Sequence, residues 1–295
     1  MSVNLELYRV FYTIANTGSI SKAAKQLFTS QPAISLSLKS LEEKLGGQLF
    51  HRTPKGVLLT SDGEFLYKHV EQWYDLMVTT EEKFLELKDM KKGHLRIAVC
   101  SAICKYLLMD ALEHYIKTYP QIKVSIIDDS SEGILRALEH GKVDLGIINI
   151  NIKHDHILDI LQYYHTQDCF VIGPNYLLDP SVEISIRNLV AQHPLMLLQE
   201  GGSARAYVNQ FLADHQVEYE PFLEFGNADL LIEFSKRNLG VSCVDRRYIQ
   251  EELHNGELFE VNVKEQMNKR TLGLAVLRNY PLSIASQKFI EFLEP

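Results

Sequence analysis

Residues 19–63 constrain the fold most, because they combine the signals of two short helices, a tight turn between them and a following hairpin. Ser19 or Ser21 supplies a side-chain oxygen that accepts hydrogen bonds from the first amides of one helix, and Ser30 does the same for the next. Pro32 fits the first turn of the second helix, where its missing amide proton has no partner to lose. This order of elements predicts a winged helix-turn-helix, a fold that binds duplex DNA.

The helix predicted after Ser30 has one apolar and one polar face. The apolar face holds Ile34, Leu38, Leu41 and Leu45, which recur every three or four positions as a buried stripe requires. On the polar face Gln31 matches the hydrogen-bonding edge of adenine, and Leu36 is either a contact for a thymine methyl group or a partly exposed packing residue. Residues 57–60 form the second strand of the wing. The residues predicted to contact DNA are Ser30, Gln31, Pro32, Ser35, Leu36, Lys39, Arg52 and Lys55.

The charge distribution supports this interpretation over an ordinary helical hairpin with solvated charges. Residues 1–60 contain seven Lys or Arg and three Asp or Glu, a net charge of +4, whereas the whole chain carries −8. Residues 61–295 therefore carry −12. Such an asymmetry is expected when one end of a chain meets a polyanion and the rest does not.

The stretch at residues 19–63 resembles the DNA-binding domain of the LysR-type transcriptional regulators, and it reads SISKAAKQLFTSQPAISLSLKSLEEKLGGQLFHRTPKGVLLTSDG. The total length of 295 residues is similar as well. The resemblance implies a mixed α and α/β fold: a winged helix-turn-helix, a long linker helix, and a two-lobed α/β effector-binding domain of periplasmic-binding-protein type. Many members carry Arg and Gln where this chain has Leu36 and Ser37, so their base preference is not transferred.

Residues 61–89 contain no proline and predict one long helix. Its apolar positions alternate in steps of four and three, with one interruption at Thr80, as in a coiled-coil seam. We expect a dimerisation helix; the alternative is a single helix packed on its own domain. A two-fold dimer predicts an inverted-repeat operator, and the resemblance implies a homotetramer. The seam consists of Leu66, Val70, Trp73, Met77, Thr80, Phe84 and Leu87.

After Gly93 short apolar strands alternate with helix-like stretches, which predicts βαβ units on mostly parallel sheets covered on both faces. The resemblance divides this material into two lobes, with chain crossovers near residues 149–151 and 267–270. Lobe one is expected at about 93–162 and 269–295, and lobe two at about 163–268. The domains are then residues 1–60 for DNA binding, 61–90 for the linker and 91–295 for effector binding. The expected strands are residues 95–99, 123–127, 143–148, 169–172, 195–198, 241–244 and 272–277.

Loops that follow strands and open helices are where ligands bind in open α/β sheets. One such loop follows the first strand at residues 100–103, and another spans residues 199–205. In the second, glycines allow close approach of the backbone, Ser203 offers a hydroxyl, and Arg205 could pair with a carboxylate. The alternative is a helix-capping serine followed by a surface arginine. The predicted contacts for a small anionic or polar effector are Ser101, Ala102, Asn149, Gly202, Ser203 and Arg205.

Enzymatic and metal-binding functions are not expected. The chain has no Gly-x-Ser-x-Gly elbow, phosphate loop, dinucleotide-binding glycine pattern or CxxC pair, and no cofactor is predicted. His154 and His156, with His165 nearby, are more typical of a solvated loop than of a metal site. The lack of a leader sequence and of a membrane-length apolar run predicts a cytoplasmic protein without a membrane partner.

Two alternative functions stay open. One is a thiol-based redox regulator, since Cys100 and Cys104 flank a proposed cleft loop and Cys243 ends another strand. The resemblance argues against it, because peroxide-sensing members keep two cysteines in a part of the second lobe that is cysteine-free here. The other alternative is a two-lobed solute-binding protein without a regulatory role. The four cysteines do not resemble a disulfide framework, so reduced thiols are expected.

Overall fold

The structure is a computed structural model that describes residues 4–54, 56–88, 93–150 and 157–293. A π-helical turn, Cys104–Leu108, joins α5 to α6, and a 3-10 turn, Arg246–Ile249, precedes α11. The helices are α1 (Leu5–Thr17), α2 (Ile20–Gln26), α3 (Gln31–Leu45), α4 (Ser61–Lys88), α5 (Ser101–Ile103), α6 (Met109–Thr118), α7 (Ser131–Glu139), α8 (Ile186–Gln192), α9 (Ser203–Asp214), α10 (Ala228–Lys236), α11 (Gln250–Asn255) and α12 (Ile284–Ile290). The strands are β1 (Phe50–Thr53), β2 (Gly56–Leu59), β3 (His94–Ala98), β4 (Lys123–Ile127), β5 (Leu145–Asn149), β6 (Leu158–Thr166), β7 (Asp168–Ile172), β8 (Leu195–Leu198), β9 (Leu223–Phe225), β10 (Val241–Asp245), β11 (Phe259–Glu260) and β12 (Arg270–Leu277).

The predicted winged helix-turn-helix is confirmed. Ser19, the first of the two candidate caps, accepts a hydrogen bond from the Lys22 amide at the start of α2, and Ser30 accepts one from Ala33 at the start of α3. Gly46 ends α3 in the left-handed conformation, with φ of 79°. Strands β1 and β2 pair antiparallel as the wing. These capping contacts satisfy amides that the helices cannot satisfy internally, so the local sequence defines the boundaries of both helices.

The apolar stripe of α3 packs into a core shared with α1, α2 and the wing. Ile34, Leu38 and Leu41 are buried there, as expected. Leu45 is 43% exposed, so the stripe prediction is wrong at its last position. The reason is that α3 ends one residue later at Gly46, beyond the reach of the core.

Helix α4 uses part of its predicted seam within its own domain. Leu66 and Val70 pack into the winged-helix core, and Tyr12 donates a hydrogen bond to the Asp75 carboxylate at 3.1 Å. Trp73 and Phe84 are exposed. The Leu87 side chain lies outside the described residues. The single-domain alternative therefore accounts for the start of the seam. In the described part of the chain no helix has both the length and the apolar content needed to cross a bilayer.

Lobe one is a five-stranded sheet in the order β4-β3-β5-β12-β6. Strand β3 runs parallel to β4 and β5, whereas β12 runs antiparallel to β5 and β6. Helices α6 and α12 pack on one face around Tyr115 and Phe289, and α7 packs on the other around Ile134 and Leu138. The sheet is covered on both faces, which explains why apolar residues on both faces of its central strands are buried.

Lobe two is a second five-stranded sheet, in the order β11-β7-β10-β8-β9. Strand β8 is parallel to β9 and β10, and β7 is antiparallel to β10 and β11. Helices α8 and α9 cover one face and α10 covers the other. Both sheets are mixed, so the expectation of mostly parallel sheets is corrected: the chain returns through each lobe along an antiparallel strand.

The chain leaves lobe one later than expected. Strand β6 pairs with β12 along its whole length, so it belongs to lobe one and the expected crossover at residues 149–151 is wrong. The chain crosses at Gln167, between β6 and β7, and it returns after Met267, where expected. The Gln167 side-chain amide donates to the Met267 carbonyl oxygen at 2.7 Å. The two crossover segments are therefore hydrogen-bonded to each other.

A buried ionic group lies beside these crossovers. Arg270, at the start of β12 in lobe one, donates two hydrogen bonds to the Asp168 carboxylate of lobe two, at 2.5 and 2.7 Å. Thr166 of lobe one donates to Asp245 of lobe two. Burial acts to lower the pKa of Arg270, but its bonds to Asp168 outweigh this and hold the pKa above the usual value. We call Thr166, Asp168, Asp245 and Arg270 the hinge cluster.

Candidate DNA-binding and effector-binding sites

The exposed face of α3 and the wing border a groove of about 690 Å³. The predicted DNA contacts Pro32, Ser35, Leu36, Lys39 and Arg52 all line it. A helix face beside a β-hairpin, open to solvent, is the surface that a winged helix presents to the major groove and its flanking phosphates. The structure thus brings five of the eight predicted DNA-contacting residues to one surface.

The exposure of Leu36 distinguishes between the two roles predicted for it. Its side chain is 70% exposed, whereas Ile34 and Leu38, two positions away on either side, are buried. A packing residue would share the burial of the stripe, so the exposed side chain favours contact with a ligand in the groove. An apolar side chain at this place suits the methyl group of thymine.

Of the other three predicted DNA contacts, two are not among the residues lining the groove and one lies outside the described residues. The Ser30 hydroxyl accepts from the Ala33 amide, and the Gln31 side-chain oxygen accepts from the Ser21 hydroxyl at 3.0 Å. Both residues open α3 and are exposed, but they are not among the described residues that line the groove. Lys55 lies outside the described residues.

The groove also contains residues that the sequence did not single out. His51 and Gln48 line it from the wing side. His51 could have been predicted from the alternation of side chains along β1, because it follows the buried Phe50 and therefore lies on the exposed side of the strand. The Glu42 carboxylate lines the groove too, but it accepts a hydrogen bond from the Leu49 amide at 2.8 Å. That contact ties it to the fold beside the start of the wing.

A second site lies between the two lobes. A cavity of about 560 Å³ is bordered on the lobe-one side by the start of α7 and the end of β5, and on the lobe-two side by α9 and the loop before it. It collects four of the six predicted effector contacts: Asn149, Gly202, Ser203 and Arg205. Most of the residues that line the cavity carry a hydroxyl, amide or carboxylate group. Further lining residues are Ser130, Ser131, Glu132, Glu200, Gly201, Ala206, Tyr207, Asn209 and Gln210.

Ser203 is the first residue of α9, and Gly202 is its N-cap without a side chain to accept from the helix amides. Gly201, just before, has φ of 99°, a conformation that favours glycine and lets the loop turn tightly. The amides of the first helical turn therefore face the cavity side of the loop without a capping side chain. Such amides bind oxygen atoms of polar or anionic ligands.

The lobe-one side of the cavity includes the start of α7, which the sequence analysis did not select. Asn149 is 5% exposed, and its backbone amide donates to the Ser131 hydroxyl at 3.3 Å. Ser131 and Glu132 open α7, directly after the loop that follows β4. The signal that was available is the position of this loop at the carboxyl end of a strand, the same argument that selected Ser203.

The surroundings of Arg205 differ from those predicted for a ligand contact. Its side chain is 4% exposed, and its guanidinium donates to Glu224 at 2.6 Å, to the Leu198 carbonyl oxygen and to Asn209 at 2.7 Å. The helix turns this side chain inward beneath the loop, so its donors are used in holding α9 to β8 and β9. Arg205 positions the loop, and neither the predicted carboxylate contact nor the surface alternative describes it.

Ser101 and Ala102 are separated from the cavity. The Ser101 amide donates to the Asp128 carboxylate at 2.8 Å, so a side chain of the protein occupies the place that a ligand oxygen would take at the start of α5. Neither residue is among the described residues lining the cavity. The two cleft loops predicted from the sequence therefore do not converge on one volume.

Three of the four cysteines do not have the surroundings of reactive thiols. Burial raises the pKa of Cys104, Cys169 and Cys243, and nearby carboxylates raise it further. A thiol held protonated at neutral pH is a poor nucleophile, which disfavours the redox alternative. Among the described residues no three His, Cys, Asp or Glu side chains are grouped as a metal site. His154 and His156 lie outside the described residues.

A winged helix with an open groove, joined in one chain to a two-lobed α/β portion with a polar cleft, defines a ligand-responsive DNA-binding regulator. Two family models match the chain: "Bacterial regulatory helix-turn-helix protein, lysR family" over residues 5–64, and "LysR substrate binding domain" over residues 88–295. The chain belongs to the LysR family of transcriptional regulators.

Known relatives agree over the full length. The chain is 29% identical to the HTH-type transcriptional regulator YeiE of Escherichia coli K12, over 100% of this chain and 98% of that protein. Among solved structures, CrgA of Neisseria meningitidis has a TM-score of 0.57 at 22% identity, covering 99% of this chain and 98% of that one. Full-length CbnR, solved in complex with its target DNA, has a TM-score of 0.63 at 16% identity, covering 99% of each chain. These structures share the fold.

Proposed function

We propose that this regulator binds an inverted-repeat operator as a homo-oligomer and that a small polar metabolite, bound between its two lobes, modulates its action on DNA. The observation that carries the proposal is the pair of open sites: a groove beside α3 and a polar cavity between the lobes. Residues 1–60 would act on DNA, 61–90 as linker and 91–295 as effector-binding domain. Neither site suggests a catalytic step, and a DNA-binding role places the protein in the cytoplasm.

The DNA-binding part of the proposal rests on the groove residues. Pro32, Ser35 and Leu36 would meet base edges, while Lys39 and Arg52 would meet phosphates. Ser30 and Gln31 at the start of α3, together with Lys55, would extend that contact along the backbone. Full-length CbnR, which shares this fold, was solved with its target DNA, and this supports the proposal that the fold binds DNA.

Footprinting on the upstream intergenic region tests this part. We expect purified protein, at physiological salt and with nonspecific competitor DNA, to protect an inverted repeat whose half-sites lie one helical turn or a multiple apart. Affinity should fall steeply as salt rises, because phosphate contacts release counterions. If no fragment is protected and nonspecific duplex is not bound either, DNA recognition by residues 1–60 is wrong.

Helix α4 is the proposed dimer contact. Trp73 and Phe84 remain exposed on it, and Met77 lies between them on the same seam, after Leu66 and Val70 have been used by the domain core. Exposed aromatic and partly exposed aliphatic side chains at coiled-coil spacing are typical of a helix that pairs with a second copy. A dimer would place two α3 helices on two half-sites, and two dimers would form the tetramer implied by the family.

The effector is proposed to be polar, and an oxyanion is a suitable group for the start of α9. The uncapped amides after Gly202 and the Ser203 hydroxyl supply donors, and Asn149 supplies an amide from lobe one. The charged side chains on the cavity are Glu132, Glu200 and the paired Arg205, so a highly charged anion is disfavoured. A related regulatory domain, CcmR of Synechocystis, has been solved in complex with 2-PG, so 2-PG is a first probe of whether a multiply charged anion binds despite these carboxylates.

Replacing Ser203 by Ala should weaken effector binding about tenfold, because the loss of a hydroxyl that donates to a charged ligand costs roughly 1.5 kcal/mol. Ser101→Ala should leave the affinity unchanged, since Ser101 does not line the cavity. Isothermal titration calorimetry with a ligand found by thermal-shift screening, starting from 2-PG, measures both. A loss of affinity in Ser101→Ala with none in Ser203→Ala would show that the ligand binds beside α5 instead of α9.

Effector binding would reach the DNA through the arrangement of the lobes. A ligand that contacts both walls of the cavity favours the lobe angle in which both contacts exist, and only such a difference in affinity can shift the protein between states. In an oligomer, that angle would alter how the DNA-binding domains meet the operator. Identical footprints with and without saturating ligand would contradict this step.

A further inference from the structure

Four side chains form a further contact between the two lobes. Lys105 of lobe one donates from Nζ to Oδ1 of Asp229 in lobe two at 2.7 Å, and the Tyr106 hydroxyl donates to the same oxygen at 3.1 Å. The Tyr106 ring stacks on Tyr248 of lobe two, with ring centroids 4.6 Å apart and planes 19° from parallel. We call these four residues the latch.

Each half of the latch is carried by an irregular or terminal piece of helix. Lys105 and Tyr106 lie in the π-helical turn Cys104–Leu108, and Asp229 lies in the first turn of α10. Wide π-helical turns inside helices often occur at functional positions. Here the turn presents two consecutive side chains to one carboxylate oxygen, and both contacts join different lobes.

The ion pair between Lys105 and Asp229 is formed in the structure, but it is exposed enough to break at little cost in free energy. The Lys105 and Asp229 side chains are 49% and 59% exposed, so water and salt screen their attraction. The hydrogen bond between them raises the pKa of Lys105 and lowers that of Asp229. Asp229 therefore loses its charge only as the pH falls below the usual range of a carboxyl group, and the pair is intact at neutral pH.

The latch differs from the hinge cluster, which also joins the two lobes. The hinge cluster is buried where the two chain segments cross, and its Arg270 and Asp168 side chains are 5% and 4% exposed. Breaking that contact would leave charges in a dry interior, whereas opening the latch returns its ionic groups to water. The hinge cluster is thus costly to break, whereas the latch is not.

We propose that the latch biases the lobes, without effector, toward the arrangement that also closes the cavity, so that its strength sets the effector concentration needed. This inference rests on the proposed function, in which the effector binds between the lobes. If the competent arrangement is less populated, the apparent dissociation constant rises in proportion. Lys105, Tyr106, Asp229 and Tyr248 act as positioning residues for the effector site.

Hydrogen exchange measured by mass spectrometry on the full chain tests the latch without effector or DNA. We expect Asp229→Asn to speed exchange about two- to fivefold at the start of α7 and of α9, which lie across the cavity from each other, as well as at the latch itself. High salt should produce the same change in the wild type and little further change in the variant. A merely local role would alter exchange only around residues 104–108 and 228–231.

Two matched variants complete the test. The double reversal Lys105→Asp with Asp229→Lys should return exchange at α7 and α9 to the wild-type rate, because the pair is restored with opposite polarity. Glu113→Gln removes an exposed ion pair with Lys117 inside α6, and it should change nothing at the cavity. Wild-type exchange at α7 and α9 in Asp229→Asn, or failure of the reversal to restore it, would overturn the proposal.

The same variants separate this proposal from the proposed function. With a ligand identified by calorimetry, Asp229→Asn should raise its apparent dissociation constant by the factor seen in exchange, and an unchanged constant would contradict the latch. If no protein, wild type included, protects an operator or changes its footprint with ligand, the proposed function fails. The exchange measurements would still report on the latch.

Discussion

Leu36→Asp should lower operator affinity by about 100-fold while leaving the stability of the protein unchanged. The Leu36 side chain is 70% exposed on the groove face of α3, so the core does not depend on it. In the complex the new carboxylate would lose an apolar contact worth about 1–3 kcal/mol and would face the phosphate backbone with a like charge. Electrophoretic mobility shifts on the footprinted operator, together with the melting temperature, measure both effects.

Leu177→Asp is the matched control for this prediction. Leu177 is 99% exposed in a loop of lobe two, so the substitution is chemically identical and equally harmless to folding. It should leave operator affinity within about twofold, because Leu177 does not line the groove and a single added surface charge is screened by salt. If the two variants lose affinity equally, net charge explains the effect and Leu36 is not part of the DNA contact.

Asp168→Ala should destabilise the effector-binding portion by about 3–5 kcal/mol, because the buried Arg270 guanidinium loses the carboxylate to which it is hydrogen-bonded and keeps only Asp245, 4.0 Å away. For a portion of this size, such a loss lowers the unfolding temperature by about 10 °C. Differential scanning calorimetry measures the transition. The hinge cluster would then be identified as a structural requirement of the two-lobed arrangement.

Asp159→Ala provides the comparison on the surface. Asp159 pairs with Arg278 at 2.7 Å, but the two side chains are 46% and 42% exposed, so its loss should cost less than about 1 kcal/mol. The double variant Asp168→Leu with Arg270→Met should recover most of the stability, since a packed apolar pair avoids burying two charges. Similar losses in Asp168→Ala and Asp159→Ala would contradict the importance of burial.

The winged helix could be predicted in detail because its information is local. Ser19, Ser30 and Gly46 act within a few residues of where they stand, through caps and a left-handed turn. The exposure of Leu36 also followed from the helical period. The burial of Leu66 and Val70 in the domain core did not follow, because a coiled-coil seam and the packed face of a helix have the same spacing.

The lobes were predictable as α/β material, but their boundary was not. Strand β6 alternates in burial and pairs with β12, which lies more than 100 residues later in the chain, so its lobe depends on a long-range partner. The direction of a strand in a sheet depends on the same pairing. For this reason the expected parallel sheets became mixed, and the crossover moved to Gln167.

The candidate effector site shows the same division. Ser203 was found because a glycine-rich loop at a strand end is a local pattern, and the structure places it on the cavity. Ser131 was missed although it follows a strand end by the same local rule, and Arg205 was misjudged because its partner Glu224 lies on a neighbouring strand. Ser101 was selected by the same local rule as Ser203, yet the Asp128 carboxylate already occupies its amide.

By itself, the sequence determined the DNA-binding fold, the family and the two-lobed class, because caps, helical periods and charge asymmetry act over short distances along the chain. Only the tertiary structure decided which loops share the cavity, that Arg205 supports the loop instead of the ligand, and that Lys105 and Asp229 join the lobes. Each of these depends on residues far apart in sequence that meet through strand pairing. No local pattern of residues specifies that meeting.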